Sequence, residues 1–389
     1  MNIAILGNLP PANLGGVGLH ISYLSQHLSK YVNLTIISSG RKNAHLEKNG
    51  IKIYSRKIPF EKRYTTFQKD FVKISFLNKL KTQYDLIHYH GLFSPFGFLL
   101  NDKVPLVITV HGYASFETAA HGRIKSNSFQ FKFMRWVEKK TVERADAVIA
   151  VGKTLRKWII EELGAEPEKV FYVPNGIDPS VFKPIQLIDN PLNTQIKGNP
   201  ILIFTKHFSQ IYGAKDLIIT FKNVLKIYPN AKLIMLGDDR YKNEVVSFSK
   251  EINVYNNIYF VGRVENKKVP YYLSLADIFI NPTRTQETFG ISLIEAMACE
   301  VPVIATAVGG PKEILDEGKR QMGKDVGILI PPKNPKAIAD AIIYLLEHSE
   351  EAREMGKRAR EFVLKNYTWD IVAMKTLDVY RYAIEHHKD

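Results

Sequence analysis

The sequence predicts an α/β protein of two domains, each a parallel sheet flanked by helices. Three observations carry this. The chain has 389 residues, too long for one ordinary core. Short apolar runs alternate with helical patterns through residues 2–178, and the alternation starts again at residue 201. Between the two series lie the turn residues Pro174-Asn175-Gly176 and a stretch of little periodicity, 183–199. The expected layout is a first domain over 1–182, a linker over 183–199, a second domain over 200–366 and a closing helical segment over 367–389.

Bulk composition excludes several classes. Hydrophobic residues make up 45% and charged residues 24%, as in a soluble globular protein. The single cysteine, Cys299, rules out an internal disulfide framework and suits a reducing compartment. No apolar run reaches the roughly 18 residues of a membrane span. Met1-Asn2-Ile3-Ala4-Ile5-Leu6-Gly7 has no basic leader region and is a first strand. A cytoplasmic location is expected.

The net charge of +14 is concentrated in two stretches. Residues 41–84 hold twelve Lys or Arg against three acids, hence +9, and residues 123–144 hold seven against two, hence +5. Both carry aromatics, among them Phe67 and Phe71 in the first and Phe129, Phe133 and Trp136 in the second. These stretches are the expected peripheral contact with an anionic membrane, on its inner face. Packing of Phe67, Phe71, Ile74 and Leu77 as a helix on a sheet is the alternative. Nucleic acid is not an expected partner, since no recognition module is present.

In chain order, strand Asn2–Gly7 leads to a loop ending in Gly15-Gly16 and then a helix pattern through Leu19, Tyr23, Leu24, His27 and Leu28. A glycine-rich turn between strand and helix is a phosphate-binding device, although no G-x-G-x-x-G dinucleotide fingerprint occurs. Asn33–Ile37 is a second strand. Asp85–Gly91 and Leu106–Gly112 are apolar strands ending in His-Gly, as parallel strands end at a ligand crevice. His88 and His90 share one strand face and, with His111, raise the question of a metal. No carboxylate or cysteine of ligand spacing accompanies them, so the expected metal content is none. Strand 145–151, helix 153–162 and strand 170–173 complete the half.

Strands at 201–205, 232–237, 258–262, 276–280 and 301–305 build the second half. The polar loop after Asn281-Pro282 runs through Glu287 and Gly290 into a helix carrying Leu293, Ile294 and Met297. Amides of Phe289, Gly290, Ile291 and Ser292 at that terminus suit a phosphate. Glu287 and Glu295 frame it. Carboxylates beside a phosphate accept hydrogen bonds from hydroxyls, so the pattern fits hydroxyls on both sides of a phosphate, as in a sugar nucleotide. Helix patterns follow at 337–346 and 352–364, and Tyr367-Thr368-Trp369-Asp370 opens the last helix, to about His386.

Glu287-Thr288-Phe289-Gly290-Ile291 through Glu295, followed by Glu-Ala-Met-Ala and Val301-Pro302-Val303-Ile304-Ala305, resembles the E-x7-E segment of retaining family 4 (group 1) glycosyltransferases. The resemblance covers nearly the whole chain, least closely 41–84 and 113–140. It implies the GT-B fold: two Rossmann-like domains with a facing cleft, and a last helix crossing back to the N-terminal, acceptor-binding domain. It implies that the C-terminal domain binds a nucleoside-diphosphate sugar, a substrate and not a cofactor, with no metal required, and passes the sugar to a hydroxyl acceptor. Residue by residue, it places the base near Gly262, Arg263 and Val264, and the ribose on Glu295. The diphosphate meets Lys206, Gly15, Gly16 and the amides of Phe289, Gly290 and Ile291. Glu287 binds the sugar's hydroxyls, and His111 hydrogen-bonds the sugar and orients the acceptor. The implied catalytic set is His111, Glu287 and Lys206.

Two departures stand out. The family usually has Gly-Arg after the first C-domain strand and Lys-Gly soon after. Here Thr205-Lys206 and Tyr212-Gly213 occupy those places, leaving Lys215 as the candidate second cation. Glu300 also stands where a glycine is usual. A nucleotide-sugar isomerase of the same fold and a non-catalytic nucleotide-sugar binder are the alternative functions. Donor base and acceptor are not readable, and a lipid-linked or cell-surface glycan precursor is the acceptor that the charge suggests.

Overall fold

The computed structural model describes residues 1–9, 15–40, 42–57, 66–78, 83–92, 103–120 and 124–387, without the side chains of 66–69, 117 and 120. The basic residues Arg41, Lys62, Arg63, Lys79, Lys81 and Arg123, with Phe60, Tyr64 and the Phe67 ring, lie outside this description. The chain forms two compact units. One comprises Met1–Gly176 with Trp369–Asp389, the other Ile177–Thr368.

The first unit holds an eight-stranded sheet. Its strands are β1 (Asn2–Leu6), β2 (Asn33–Gly40), β3 (Ala44–Lys48), β4 (Ile51–Lys57), β5 (Leu86–His90), β6 (Leu106–Val110), β7 (Ala147–Ala150) and β8 (Val170–Tyr172). Their order is β3-β4-β2-β1-β5-β6-β7-β8, parallel except for β3, which runs antiparallel to β4. Helices cover both faces, so the central strands are buried on both sides and are apolar without alternation: β5, β6 and β7 are buried throughout.

The hairpin β3–β4 is not among the expected strands. Its two-residue loop is Asn49-Gly50, with φ of 54° and 74°. Positive φ at both positions is what a type I′ hairpin turn requires, and Asn-Gly supplies it. The helix Trp369–Glu385 returns to this unit, as the family resemblance implies. Trp369 stacks on Tyr23 at 5.7 Å between ring centroids, and Tyr380 is fully buried. Gly176 makes room for it, since a Cβ there would lie 2.5 Å from the Trp369 ring.

The second unit holds a six-stranded sheet, parallel throughout. Its strands are β9 (Ile201–Thr205), β10 (Lys232–Leu236), β11 (Ile258–Gly262), β12 (Ile278–Asn281), β13 (Val303–Thr306) and β14 (Ile328–Ile330), in the order β11-β10-β9-β12-β13-β14. The order reverses between β9 and β12. Outside the carboxyl ends of two such strands the loops diverge and leave a crevice. In the first unit the same reversal lies between β1 and β5.

Segment 183–199 clusters with the second unit. Asn190 is buried and donates to the Tyr271 carbonyl at 2.7 Å, while the Ile185 amide donates to Ser274 Oγ at 3.1 Å. Glu300 has φ +61°, which accounts for the glycine usual there. Its carboxylate faces Arg360 at 3.7 Å, and its carbonyl lies where a Cβ on Gly356 would be 2.1 Å away.

Candidate functional site

In the second unit the residues at the β9/β12 reversal converge. Lys206 follows β9, and its ammonium donates to Glu287 Oε1. Glu287 Oε2 accepts from Asn281 Nδ2 at 3.1 Å and lies 3.0 Å from Thr283 Oγ1. Asn281 ends β12, and Thr283 Oγ1 is 2.6 Å from Asn281 Oδ1. The Lys206 and Glu287 side chains are only 8% and 11% exposed. Taking two charges out of water costs several kcal/mol each, so such a pair is weak support for stability and points to a task.

Glycines let backbone approach backbone around this pair. Gly290 caps the helix Ile291–Ala298 with φ +100°. A Cβ on Gly309 would lie 2.1 Å from the Glu287 carbonyl, and one on Gly310 2.2 Å from that of Phe289. The Gly310 amide donates to the Glu287 carbonyl at 2.7 Å. The start of the helix Gly309–Met322 thus clamps the loop that carries Glu287. Gly213, in the left-handed conformation at φ +71°, sits against the Pro282 carbonyl with no room for a Cβ.

Glu295 lies within the helix Ile291–Ala298 and is 9% exposed. Burial raises its pKa to about 7, against the lowering effects of the Asn266 hydrogen bond and the Lys206 charge. Asn266 Nδ2 donates to Glu295 Oε1 at 2.9 Å. Asn266 follows β11, Arg263 and Val264 by a few residues, so it connects Glu295 to the loop expected to meet the base. Among the described residues of this unit, two buried hydroxyls have no hydrogen-bond partner: Thr205 Oγ1 beside Lys206, and Ser292 Oγ in the first turn after Gly290. Buried polar groups are normally paired, so these two are open to a ligand's oxygens.

Of the expected donor-site residues, the structure gathers Lys206, Glu287, Phe289, Gly290, Ile291 and Glu295. Lys215, in the helix Ala214–Leu225, is paired: its ammonium donates to Glu244 Oε1 at 2.6 Å. Sequence reading passed over Asn281, Thr283, Asn266, Ser292 and the Gly309-Gly310 clamp. Gly-Gly two residues beyond the end of a strand was the visible signal for the last.

In the first unit, Gly15 and Gly16 open the helix Gly16–Leu28; both are exposed, and among the described residues a Cβ on Gly15 would meet nothing within 4 Å. His111 follows β6 and is part of a cluster. His90 Nδ1 lies 3.1 Å from His111 Nε2, and the His20 ring meets that of His111 edge-on at 4.7 Å. His20 Nδ1 is 2.7 Å from Asn175 Oδ1. Burial lowers the pKa of His20 to about 4 and of His88 to about 3, and holds His90 and His111 well below the usual value. The four imidazoles are neutral at pH 7. His20 was not singled out from sequence, because it shares the first turns of an ordinary amphipathic helix.

Among the described residues no helix is long and apolar enough to cross a membrane. The model of "Glycosyl transferases group 1" matches residues 190–362, and that of "Glycosyltransferase Family 4" matches 14–181. An uncharacterized glycosyltransferase of Methanocaldococcus jannaschii is 26% identical over 97% of this chain and 96% of its own. The structure of sucrose-phosphate synthase from Thermosynechococcus elongatus superposes with a TM-score of 0.80 at 23% identity, covering 98% of each chain. Anabaena HepE, solved in complex with UDP-glucose, gives 0.73 at 18% identity over 97% of this chain and 98% of its own. The two matched models together span both units, and the chain belongs to the family 4, group 1 glycosyltransferases of GT-B fold.

Proposed function

We propose that this glycosyltransferase moves a sugar from a nucleoside-diphosphate sugar to a hydroxyl acceptor, with retention at the anomeric carbon and without a metal ion. The observation that carries the reading is the Lys206–Glu287 pair at the β9/β12 reversal, beside a glycine-capped helix terminus. Anionic groups bind at such termini. HepE, of the same fold, was solved with UDP-glucose.

Cleavage of the anomeric bond builds positive charge on the sugar and negative charge on the departing phosphate. Lys206 and the amides of Phe289–Ile291 oppose the second charge, and their effect is largest where that charge is largest, in the transition state. The unpaired Ser292 and Thr205 hydroxyls supply further donors. Glu287 accepts from the sugar's hydroxyls and keeps the Lys206 ammonium in place. Glu295 accepts from the ribose, as an acid does in dinucleotide sites. Arg263 and Val264 border the base. His111 and the Gly15–Gly16 turn keep the functions the resemblance implies: a hydrogen bond to the sugar with orientation of the acceptor, and amides for the diphosphate. The acceptor's proton passes to the leaving phosphate oxygen during attack on the same face.

Glu295 makes donor binding pH-dependent. Its folded pKa of about 7 exceeds the 4.5 of an ordinary carboxyl, so below pH 7 the folded protein holds a proton there that the unfolded chain has lost above pH 4.5. Stability therefore falls as pH rises from 4.5 to 7. Ribose hydroxyls need the ionised acceptor, so donor affinity rises through pH 7 and levels off above it. Below pH 7 the expected slope is up to about tenfold per unit. Calorimetric titration across pH 5.5–8.5 reads it, and Glu295→Gln should flatten the curve.

The first unit displays an aromatic stripe. On the helix Phe129–Arg144, Phe129 is 83% exposed, Trp136 48% and Phe133 43%, with Lys132 and Lys139 exposed beside them. Aromatic rings among lysines suit the surface of an anionic bilayer. We place the protein on the cytoplasmic face of such a membrane, with a lipid-linked or cell-surface glycan precursor as acceptor.

The test is release of nucleoside diphosphate from UDP-, GDP- and ADP-sugars in EDTA, with and without anionic liposomes or membrane extract. One donor should be turned over, faster with membranes. A donor bound but never consumed, membranes included, would favour a non-catalytic binder. An isomerised sugar nucleotide without acceptor would favour the isomerase.

A further inference from the structure

The side-chain cluster at the β1/β5 reversal has a property that transfer does not use. Each neutral imidazole carries one N–H and one lone pair. His88 is satisfied on both nitrogens, by Tyr380 Oη at 2.7 Å and Thr109 Oγ1 at 2.7 Å. His20 Nδ1 faces the Asn175 side-chain oxygen, which fixes its proton on Nδ1 and leaves the lone pair on Nε2. His90 Nδ1 and His111 Nε2, 3.1 Å apart, share one proton between two nitrogens. Among the described residues His90 Nε2 is buried with no partner. His90 is 7% exposed and His20 3%, so both rings are shielded from bulk water.

One nitrogen from each of His20, His90 and His111 lies within 4.8 Å of the other two. Ligands of a tetrahedral zinc ion, at about 2.0–2.1 Å from the metal, stand about 3.4 Å from one another. His90 Nδ1 and His111 Nε2 are already near that spacing, which leaves the proton of His90 on Nε2, and a third nitrogen from His20 needs a shift of only about an ångström. Asn175 is the partner that a ligating histidine ordinarily has on its other nitrogen, fixing tautomer and ring orientation. His111 is only half-buried, which gives an ion a path in.

We propose that His20, His90 and His111 form a binding site for one borderline divalent transition-metal ion, of the Zn2+ or Co2+ kind. Three imidazoles leave a fourth position for water, and all-nitrogen ligation excludes hard cations such as Mg2+. This differs from the sequence expectation of no metal, which was drawn on His88, His90 and His111; in the fold His20 takes the place of His88. The ion is not needed for transfer. Occupancy would engage His111, so it would inhibit. The binding claim rests on side chains of the first unit alone, and only the inhibition rests on the proposed function.

The full chain, stripped with EDTA and dialysed, is titrated with CoCl2 and then ZnCl2. One equivalent of Co2+ should give the intense visible bands of a tetrahedral site. Zn2+ should bleach them stoichiometrically, and millimolar Mg2+ should not. His20→Gln, His90→Gln and His111→Gln should each weaken Zn2+ binding by at least about a hundredfold, more than loss of an outer partner does. The exposed His386→Gln should bind as the parent does. Melting curves show that each variant is folded, and half-buried His111 carries the test if the buried positions do not tolerate change. No tetrahedral band in the parent chain, or equal Zn2+ affinity in folded His111→Gln, would overturn the site. Binding without inhibition would leave the site standing and instead remove His111 from the transfer reaction.

Discussion

Glu287→Gln is expected to fold as the parent chain does and to transfer sugar roughly tenfold to a few hundredfold more slowly. The amide keeps the shape, and its oxygen keeps the hydrogen bonds from Asn281 and Thr283, at 3.1 and 3.0 Å, but its NH2 then replaces the charged oxygen that holds the Lys206 ammonium and accepts from the sugar. A charge-assisted hydrogen bond contributes about 1.5–3 kcal/mol, and each 1.36 kcal/mol on a barrier is about a factor of ten. Glu287→Ala should be slower still and also less stable, because it removes the acceptor of Asn281 and Thr283 as well as the charge facing Lys206. Steady-state turnover beside thermal melting separates the two variants. Parent-like turnover in Glu287→Gln would remove this residue from the reaction.

The second large effect is expected at a residue that has no side chain. Gly310→Ala would put a methyl 2.2 Å from the Phe289 carbonyl oxygen and 2.3 Å from the Phe289 Cα. Both are backbone atoms, so nothing can rotate away; the loop carrying Glu287 must move, or the helix Gly309–Met322 must. Overpacking of this kind costs typically 1–3 kcal/mol, occasionally more. The variant should melt several degrees lower and lose transfer nearly completely, since a misplacement of about 1 Å can cost about a hundredfold. Gly15→Ala is the contrast. Among the described residues a Cβ there meets nothing within 4 Å and φ is −70°, so its stability should be unchanged whatever its activity.

The sheets were legible because their strands are buried on both faces and therefore form continuous apolar runs, as in β5, β6, β9 and β12. Strand order was not legible, yet it decides the site: it brings the ends of β9 and β12 together although they lie more than seventy residues apart in the chain. Glu287 and Lys206 were found through a local motif and a strand end. Asn281, Thr283 and Asn266 were missed because their contribution is to hold another side chain, which leaves no local pattern. The hairpin β3–β4 was missed for a different reason: its strand β3 is exposed at all five positions, so no hydrophobic period marks it, and only Asn49-Gly50 announces the turn. Lys215 shows the limit of carrying positions over by spacing. It stands near the expected place in the chain, but its ammonium is paired with Glu244 on the helix Lys242–Glu251.

The central claim is that Lys206 meets the phosphates and Glu287 the sugar of one donor. The most direct measurement is calorimetric binding of a nucleoside diphosphate and of its sugar conjugate, UDP against UDP-glucose first, to the parent chain, Glu287→Gln and Lys206→Met. The account predicts that Lys206→Met weakens both ligands, whereas Glu287→Gln weakens only the conjugate and leaves the bare diphosphate bound as tightly or more so, with one negative charge fewer beside it. Equal weakening of both ligands in folded Glu287→Gln would contradict it, and so would bare diphosphate binding that ignores Lys206.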